Sequence, residues 1–194
     1  MNKFKLLFIG YNKKETKLID FLKKKNILVT HKNKKLSLQD VNGVDLLISF
    51  GYKYLLKKEL LEKLKRPAIN LHMSFLPYNR GAHPNFWSFI NETPKGISIH
   101  EIDEGVDTGN IITQKKYAIN PSLNKFLSFK KTYDYLFSEL ELLFIRNYKN
   151  IIFNKYKKKK QKKVFQSNKT KDLPKNIKTW DLNILNFKKT NLKN

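Results

Sequence analysis

The stretch FKLLFIGYNKKETKLIDFLKKK, from Phe4 to Lys25, contains the pattern on which the fold prediction rests. Its first part is an apolar run that ends at Gly10, as expected of a buried strand. The following part places Leu18, Phe21 and Leu22 on one face of a helix. The chain is therefore predicted to begin with a β-α unit.

The same alternation continues through the first third of the chain. We predict further strands at ILVTH, at VDLLISFG (Val44 to Gly51) and at AINLH (Ala68 to His72), with a helix at KKELLEKLK. Apolar strands separated by helices indicate a mainly parallel sheet covered on both faces. The predicted fold class is α/β, with a Rossmann-like, doubly wound sheet whose ligands bind at the carboxyl ends of the strands.

The remaining sequence predicts a short aromatic helix and a Pro-Lys-Gly turn within His83 to Gly96, then two strands joined by an acidic loop. Apolar residues at helical spacing predict one long amphipathic helix from Pro121 to about Tyr156. We therefore expect a single domain over residues 1–155, followed by a basic, partly irregular tail over residues 156–194 with a short helix after Thr179.

Composition excludes several classes of protein. The chain has 194 residues, 40% of them hydrophobic, which suits one domain with its own core. It contains no cysteine, so disulfides, thiolate metal sites and a cysteine nucleophile are excluded. The first apolar run is shorter than the core of a signal peptide and much shorter than a membrane span. We expect a cytoplasmic, soluble protein without a membrane span.

The net charge of +24 suggests a nucleic-acid partner, because clustered cations neutralise phosphates. Most of these cations are lysines spread along the whole chain, and they are concentrated only in KYKKKKQKK, Lys155 to Lys163. This run predicts a weak contact with RNA or with an anionic membrane surface. The alternative is a solvated helix end whose cations lie near the negative end of the helix dipole.

The turn after the first strand excludes a dinucleotide cofactor. Such a site requires several glycines so that backbone amides can approach the pyrophosphate, whereas FIGYNKKETK contains one. The chain also contains no P-loop.

Polar side chains lie where the fourth strand ends, in INLHMSFLPYNRG (Ile69 to Gly81). Asn70, His72 and Ser74 share one face if the backbone stays extended. An amide, an imidazole and a carboxylate can together promote attack by an amine on a carbonyl carbon, and the carboxylate can raise the pKa of the imidazole. The alternative is an ordinary histidine at a strand end, and the pattern alone does not place Asp107 beside His72.

Two other kinds of site were weighed against this one. His100 and Asp103, with His72 and Asp107, could bind zinc or a non-haem metal. Because the strand GISIH directs residues three apart to opposite faces, we predict that there is no metal site. A Ser-His-Asp hydrolase is disfavoured because Ser74 is not in a nucleophile elbow.

Two segments, NLHMSFLPYNRGAHP and GISIHEIDEGVDTGNIITQ, together resemble the signature of the folate-dependent formyltransferases. That superfamily includes glycinamide ribonucleotide formyltransferase, methionyl-tRNA formyltransferase and the nucleotide-sugar N-formyltransferases. Its pattern is Asn-x-His-x-Ser-x-Leu-Pro, then a turn with glycine, then an acidic loop of the form Asp-x-Gly-x-Asp-Thr-Gly. The resemblance spans roughly Asp45 to Ile119.

The resemblance implies a catalytic trio of Asn70, His72 and Asp107. It implies that an amine attacks the formyl carbon of 10-formyltetrahydrofolate, the formyl donor. Asn70 and protonated His72 would stabilise the resulting oxyanion. Asp107 would keep His72 protonated and, through water, help to remove the amine's proton.

The resemblance also implies the binding residues. Ser74 is predicted to shape the substrate loop, and Arg80 to contact the acceptor or brace its turn. The expected folate contacts are Phe50, Gly51, Tyr52 and Leu55 from one segment, and Asp103, Glu104, Gly105 and Val106 from the acidic loop.

The acceptor implied by the resemblance is a small primary amine, nearest to an amino sugar linked to a nucleotide. Glycinamide ribonucleotide and methionyl-tRNA remain alternatives, although the first turn lacks a glycine-rich phosphate loop and the tail is short for a tRNA-binding domain. A different class of function also remains open, namely a basic protein that binds RNA or membrane surfaces on a formyltransferase scaffold. The oligomeric state is open, with a homodimer as one option.

Overall fold

A computed structural model of the chain describes residues 3–124, 127–161 and 167–191. It contains one six-stranded sheet with the strand order β2-β1-β3-β4-β5-β6. The strands are β1 (Lys5–Gly10), β2 (Leu28–Lys32), β3 (Leu46–Phe50), β4 (Ile69–His72), β5 (Lys95–Glu101) and β6 (Ile111–Tyr117). The helices are α1 (Leu18–Lys24), α2 (Lys58–Lys63), α3 (Pro84–Ile90), α4 (Phe129–Ile152) and α5 (Ile184–Asn191).

The sheet is mixed rather than parallel throughout. Strands β1 to β4 pair in parallel, whereas β5 is antiparallel to both β4 and β6. The predicted α/β fold is confirmed, and the parallel half is the doubly wound part. The β5–β6 pair is antiparallel because the loop that joins these strands, residues 102–110, is too short for the crossover that a parallel pair needs.

Successive residues of β1 point to opposite faces of the sheet and pack in different cores. Leu6 and Phe8 pack in the core beneath α1 and α4. Leu7 and Ile9 pack in the core beneath α2 and the 3₁₀ turn Leu38–Val41. Helices therefore cover both faces of the parallel half of the sheet.

Two predicted boundaries differ from the structure. The Pro-Lys-Gly segment is not a turn after Pro94, because Lys95 and Gly96 already begin β5. A side chain at Gly96 would lie 2.5 Å from the carbonyl oxygen of Lys115, so glycine is required there by the close approach of β6. The long helix begins at Phe129, since the Ser128 side chain accepts a hydrogen bond from the backbone N–H of Lys131 and caps it.

The segment after residue 156 packs on the rest of the fold. The short helix predicted after Thr179 is α5, and its Ile184 and Phe187 enter a third apolar core with Phe86, Phe89 and Phe129. None of the helices in the described ranges is long and apolar enough to cross a membrane.

Candidate active site

The parallel strand β4 presents Asn70 and His72, and the antiparallel strand β5 presents a second histidine beside them. Asn70 is paired with His100 in the ladder, so both side chains lie on the same face. The Asn70 Nδ2 atom lies 3.2 Å from His100 Nε2. His100 Nδ1 donates to the carbonyl of Glu101 at 2.7 Å, so in the neutral ring Nε2 is an acceptor for the Asn70 amide.

Asp107 comes from the loop between β5 and β6, which must fold back to reach β4. Glu101 at the end of β5 is paired with Ile69, the first residue of β4. The loop reverses through Asp107, whose φ of 52° is left-handed, and through Gly109. A side chain at Gly109 would lie 1.9 Å from the carbonyl oxygen of Glu101, so only glycine allows this return.

The Asp107 carboxylate is the point at which the polar groups meet. Its Oδ1 accepts from Asn70 Nδ2 at 3.1 Å and lies 3.3 Å from His100 Nε2. Its Oδ2 accepts from the backbone N–H of Gly81 at 2.8 Å and lies 3.6 Å from His72 Nδ1. The structure thus brings the three predicted catalytic side chains together and adds His100 to them.

Burial and charge act in opposite directions on this site. Burial alone would raise the pKa of Asp107, but attraction to His72 and His100 in their protonated forms outweighs it and holds the pKa well below its usual range. Asp107 is therefore ionised. A carboxylate held in this way stabilises positive charge on either imidazole.

The Asp107 carboxylate raises the pKa of His72, as expected, but burial has the larger effect. Burial lowers the pKa of His72 below its ordinary value of 6.5, and the opposing charge of Asp107 only partly compensates. His72 Nε2 donates to the carbonyl of Asn79 at 3.1 Å. The neutral ring therefore carries its proton on Nε2 and presents an unprotonated Nδ1 towards Asp107.

Ser74 and Arg80, the predicted acceptor residues, are both about 1% exposed. The Ser74 hydroxyl has no hydrogen-bond partner among the described residues. Arg80 donates from Nη2 to Gln161 Oε1 at 2.7 Å. The structure therefore encloses Arg80 in protein, which fits a bracing role, and leaves one unused hydrogen-bonding group at Ser74.

The predicted folate contacts at the end of β3 divide into two groups. Phe50 is buried, and its ring centroid lies 4.7 Å from that of Phe137. It therefore supports the segment after β3 from inside the core and does not face a ligand. Tyr52 and Leu55 line a cavity of about 310 Å³. Its other walls are the segment Lys35–Leu38 and residues at the start of α2 and just before it, namely Leu56, Lys57, Glu59 and Leu60. Leu55 is 69% exposed and leaves apolar surface for a ligand.

The acidic loop lies close to this cavity. Glu104 Oε1 is 3.6 Å from Lys58 Nζ at the start of α2. The Asp103 carboxylate accepts hydrogen bonds from the backbone N–H of Gly105 and from the Thr108 hydroxyl, which fixes the shape of the loop. Gly51 has a left-handed φ of 69°, and a side chain there would overlap the ring of Tyr11.

Within the described ranges, no group of three or more histidine, aspartate or glutamate side chains is arranged to hold a metal ion.

Two residues of the site were not assigned to it from the sequence. His100 was considered only as a metal ligand, and its contact with Asn70 depends on the antiparallel register of β5, which no local pattern reveals. Gln161 was not singled out, yet its Nε2 donates to the carbonyls of Asp107 at 3.0 Å and Gly109 at 2.7 Å. A glutamine within a lysine run gives no local sign of such a contact.

Comparisons of the sequence find curated relatives for the part that carries the site. Residues 12–128 match the family model described as formyl transferase. A methionyl-tRNA formyltransferase of Thermodesulfovibrio yellowstonii is 47% identical over 78 residues, 40% of this chain and 25% of that protein. A GDP-perosamine N-formyltransferase of Brucella melitensis is 35% identical over 88 residues, 45% of this chain and 34% of that protein. The matched segments thus span a quarter to a third of these relatives.

A solved structure matches over nearly the whole length. It is the formyltransferase PseJ of Anoxybacillus kamchatkensis, crystallised with UDP-4,6-dideoxy-4-formamido-L-AltNAc and tetrahydrofolate. The TM-score is 0.85 at 36% identity, with 93% of this chain and 96% of that chain covered. With the family match extending over more than half of its residues, the chain belongs to the formyl transferase family.

Proposed function

We propose that this protein transfers a formyl group from 10-formyltetrahydrofolate to the primary amine of an amino sugar linked to a nucleotide. The observation that carries the proposal is the convergence of Asn70, His72 and His100 on the Asp107 carboxylate. The likeness to PseJ, whose bound ligand is a UDP-linked formamido sugar, supports the acceptor class. We propose a UDP-linked amino sugar as the first acceptor to test.

The residues present fit a folate donor. The cavity beside Tyr52 and Leu55 lies at the lower end of the volume range of small-molecule sites and is largely apolar. A flat heterocycle can cover the exposed Leu55, while backbone groups of Asp103 to Val106 supply polar partners. When bound, 10-formyltetrahydrofolate supplies an electrophilic formyl carbon.

His72 acts as the base in this proposal. The attacking amine loses one proton as its nitrogen bonds to the formyl carbon, and neutral His72 can accept that proton at Nδ1. The ionised Asp107, 3.6 Å away, stabilises the imidazolium that results. His72 can then return the proton to N10 of the donor as the bond between N10 and the formyl carbon breaks, which releases tetrahydrofolate. His72 is thus protonated during the reaction rather than before it, which differs from the role that the resemblance implied.

Asn70 has two tasks in this arrangement. In the ligand-free structure its amide holds Asp107 and contacts His100. During the reaction one amide hydrogen can turn to the formyl oxygen, where negative charge develops. Arg80 braces the turn before Gly81, and Ser74, which is equally buried, shapes the loop.

The contacts of Lys158 and Lys159 support a structural role for the basic run rather than a role in binding nucleic acid. Lys158 pairs with the buried carboxylate of Glu101, and the backbone of Lys159 pairs with Ile111. Lys162 and Lys163 lie outside the described residues. A contact between Lys155–Lys163 and RNA stays a prediction, as do the cytoplasmic location and a homodimer.

The test is formation of tetrahydrofolate from 10-formyltetrahydrofolate with a panel of amines. The panel contains UDP-, GDP- and dTDP-linked amino sugars, glycinamide ribonucleotide and methionyl-tRNA, with N-acetylated sugars as controls that lack a free amine. We expect turnover with a nucleotide-linked amino sugar. Turnover only with methionyl-tRNA would show instead that the acceptor is methionyl-tRNA. Salt-dependent RNA binding without any turnover would favour an RNA-binding protein on a formyltransferase scaffold.

A further inference from the structure

The C-terminal segment crosses the two loops that meet at Asp107. Lys159 and Ile111 exchange both backbone hydrogen bonds at 2.8 Å. Asn168 donates to the carbonyl of Arg80 at 2.8 Å and accepts from the backbone N–H of Ala82 at 2.9 Å. We call residues 156–161 the strap. The strap lies against the acidic loop and β6, and Asn168 lies against the Arg80–Gly81 turn.

One side chain of the strap joins these two loops. The Gln161 carboxamide donates to the carbonyls of Asp107 and Gly109, and its Oε1 accepts from Arg80. Both amide hydrogens and the oxygen are therefore used, which is nearly the full hydrogen-bonding capacity of the group. The residue is about 9% exposed, so little water competes for these contacts.

The joined loops are the two that fix the Asp107 carboxylate. Gly81, which follows Arg80, donates its backbone N–H to Asp107 Oδ2 at 2.8 Å. Asp107 itself has a left-handed backbone, a conformation that costs free energy and persists where surrounding contacts hold it. Gln161 thus donates to the carbonyl of Asp107 and accepts from the side chain of Arg80, which precedes Gly81.

We propose that Gln161 is a positioning residue that sets the place of the Asp107 carboxylate relative to His72 and Asn70. Gln161 acts through its hydrogen bonds to Asp107, Gly109 and Arg80. It lies beyond residues 12–128, the part matched by the family model. The kinetic part of the test rests on the proposed function, and the structural part does not.

The experiment replaces Gln161 by methionine, which has a similar size but none of the three hydrogen bonds. We expect kcat to fall by about tenfold or more, because a displacement of about 1 Å can cost a hundredfold in rate. The KM values for donor and acceptor should stay within about twofold, since the interaction lost is one that matters chiefly in the transition state.

A second readout uses the four histidines of the chain, labelled with ¹⁵N in the ligand-free protein. The ring ¹⁵N resonances of His72 and His100 should shift in Gln161→Met, because both rings face Asp107. The resonances of His31, which contacts the carbonyl of Gly10, should stay in place. A general loss of stability would not select these two rings.

Gln39→Met is the matched control, the same substitution at an exposed glutamine. The proposal is overturned if Gln161→Met behaves like Gln39→Met in both kcat and the His72 and His100 resonances. If Gln161→Met does not fold, Gln161→Glu is measured in its place. This variant keeps an acceptor for Arg80 but has no N–H to donate to the carbonyls of Asp107 and Gly109. It should show the same two effects, and its failure to do so would also overturn the proposal. Absence of turnover in the unmodified protein would contradict the proposed function, while the resonances would still test Gln161.

Discussion

Asp107 is the residue on which the contacts of the site converge, and its charge is maintained by its neighbours. Its pKa is held below the usual range although it is buried, because attraction to His72 and His100 in their protonated forms outweighs the cost of burial. An ionised carboxylate between two imidazoles can stabilise positive charge on either ring. Removing that charge should therefore affect the reaction more than the fold.

Replacing Asp107 by asparagine should lower kcat by about a hundredfold or more, because the imidazolium of His72 loses its counter-charge. The measurement is steady-state kinetics with the acceptor found in the panel, together with circular dichroism to confirm folding. Asp20→Asn, at an exposed position of α1, is the control and should leave kcat unchanged. A near-normal rate in Asp107→Asn would rule out the role given to this residue.

The pH dependence follows from the lowered pKa of His72. A base whose pKa lies below 6.5 stays neutral until the pH falls under that value, so kcat/KM should decline only below pH 6.5. The Asp107 carboxylate raises the pKa of His72, so Asp107→Asn should move this decline to still lower pH. The profile of kcat/KM is to be corrected for ionisation of the acceptor amine, measured separately. A decline that begins above pH 6.5 would contradict a neutral His72.

At the scale of elements, the direction of β5 decides which side chains meet. A parallel fifth strand would not place His100 opposite Asn70 or begin the acidic loop beside Ile69. Hydrophobic periodicity predicts that a strand exists and which face is buried, but it carries no information on strand direction. The strands and helices were therefore predictable from local pattern, whereas the contact between Asn70 and His100 was not.

The segment after β3, with Tyr52 and Leu55, should bind the donor through its exposed apolar surface. Leu55→Asp should raise the KM for 10-formyltetrahydrofolate by about tenfold or more with little change in kcat, because covering a leucine side chain contributes about 1.5–3 kcal/mol. Leu123→Asp, at a leucine that is 86% exposed, is the matched control. Binding of a non-transferable folate analogue should weaken in parallel. Unchanged binding in Leu55→Asp would place the donor elsewhere.

At the scale of the whole molecule, the basic C-terminal segment belongs to the same packed structure as the sheet. Phe187 of α5 lies 5.6 Å from the rings of both Phe86 and Phe129. The strap contributes an ion pair between the exposed Lys158 side chain and the buried carboxylate of Glu101. The lysine-rich composition of this segment suggested a separate tail. In its described part most lysines are exposed to solvent, whereas apolar residues of the same segment pack against the domain.

Phe187→Ala should lower the free energy of unfolding by about 3–5 kcal/mol, the usual cost of removing a buried aromatic ring. Phe153→Ala, at an exposed phenylalanine, should change it by less than about 0.5 kcal/mol. Urea denaturation monitored by both fluorescence and circular dichroism measures the two values. Unchanged global stability in Phe187→Ala would show instead that the C-terminal segment is independent of the domain.

The sequence by itself determined the α/β fold, the strand that carries Asn70 and His72, and the acidic glycine loop that carries Asp107. These features depend on residues close together in the chain, where periodicity, glycines and motif spacing act directly. Only the tertiary structure decided the antiparallel position of His100, the burial that lowers the pKa of His72, and the contact of Gln161 with Asp107. Each of these depends on which distant segments pack together and on how much water they exclude, and local sequence does not specify either.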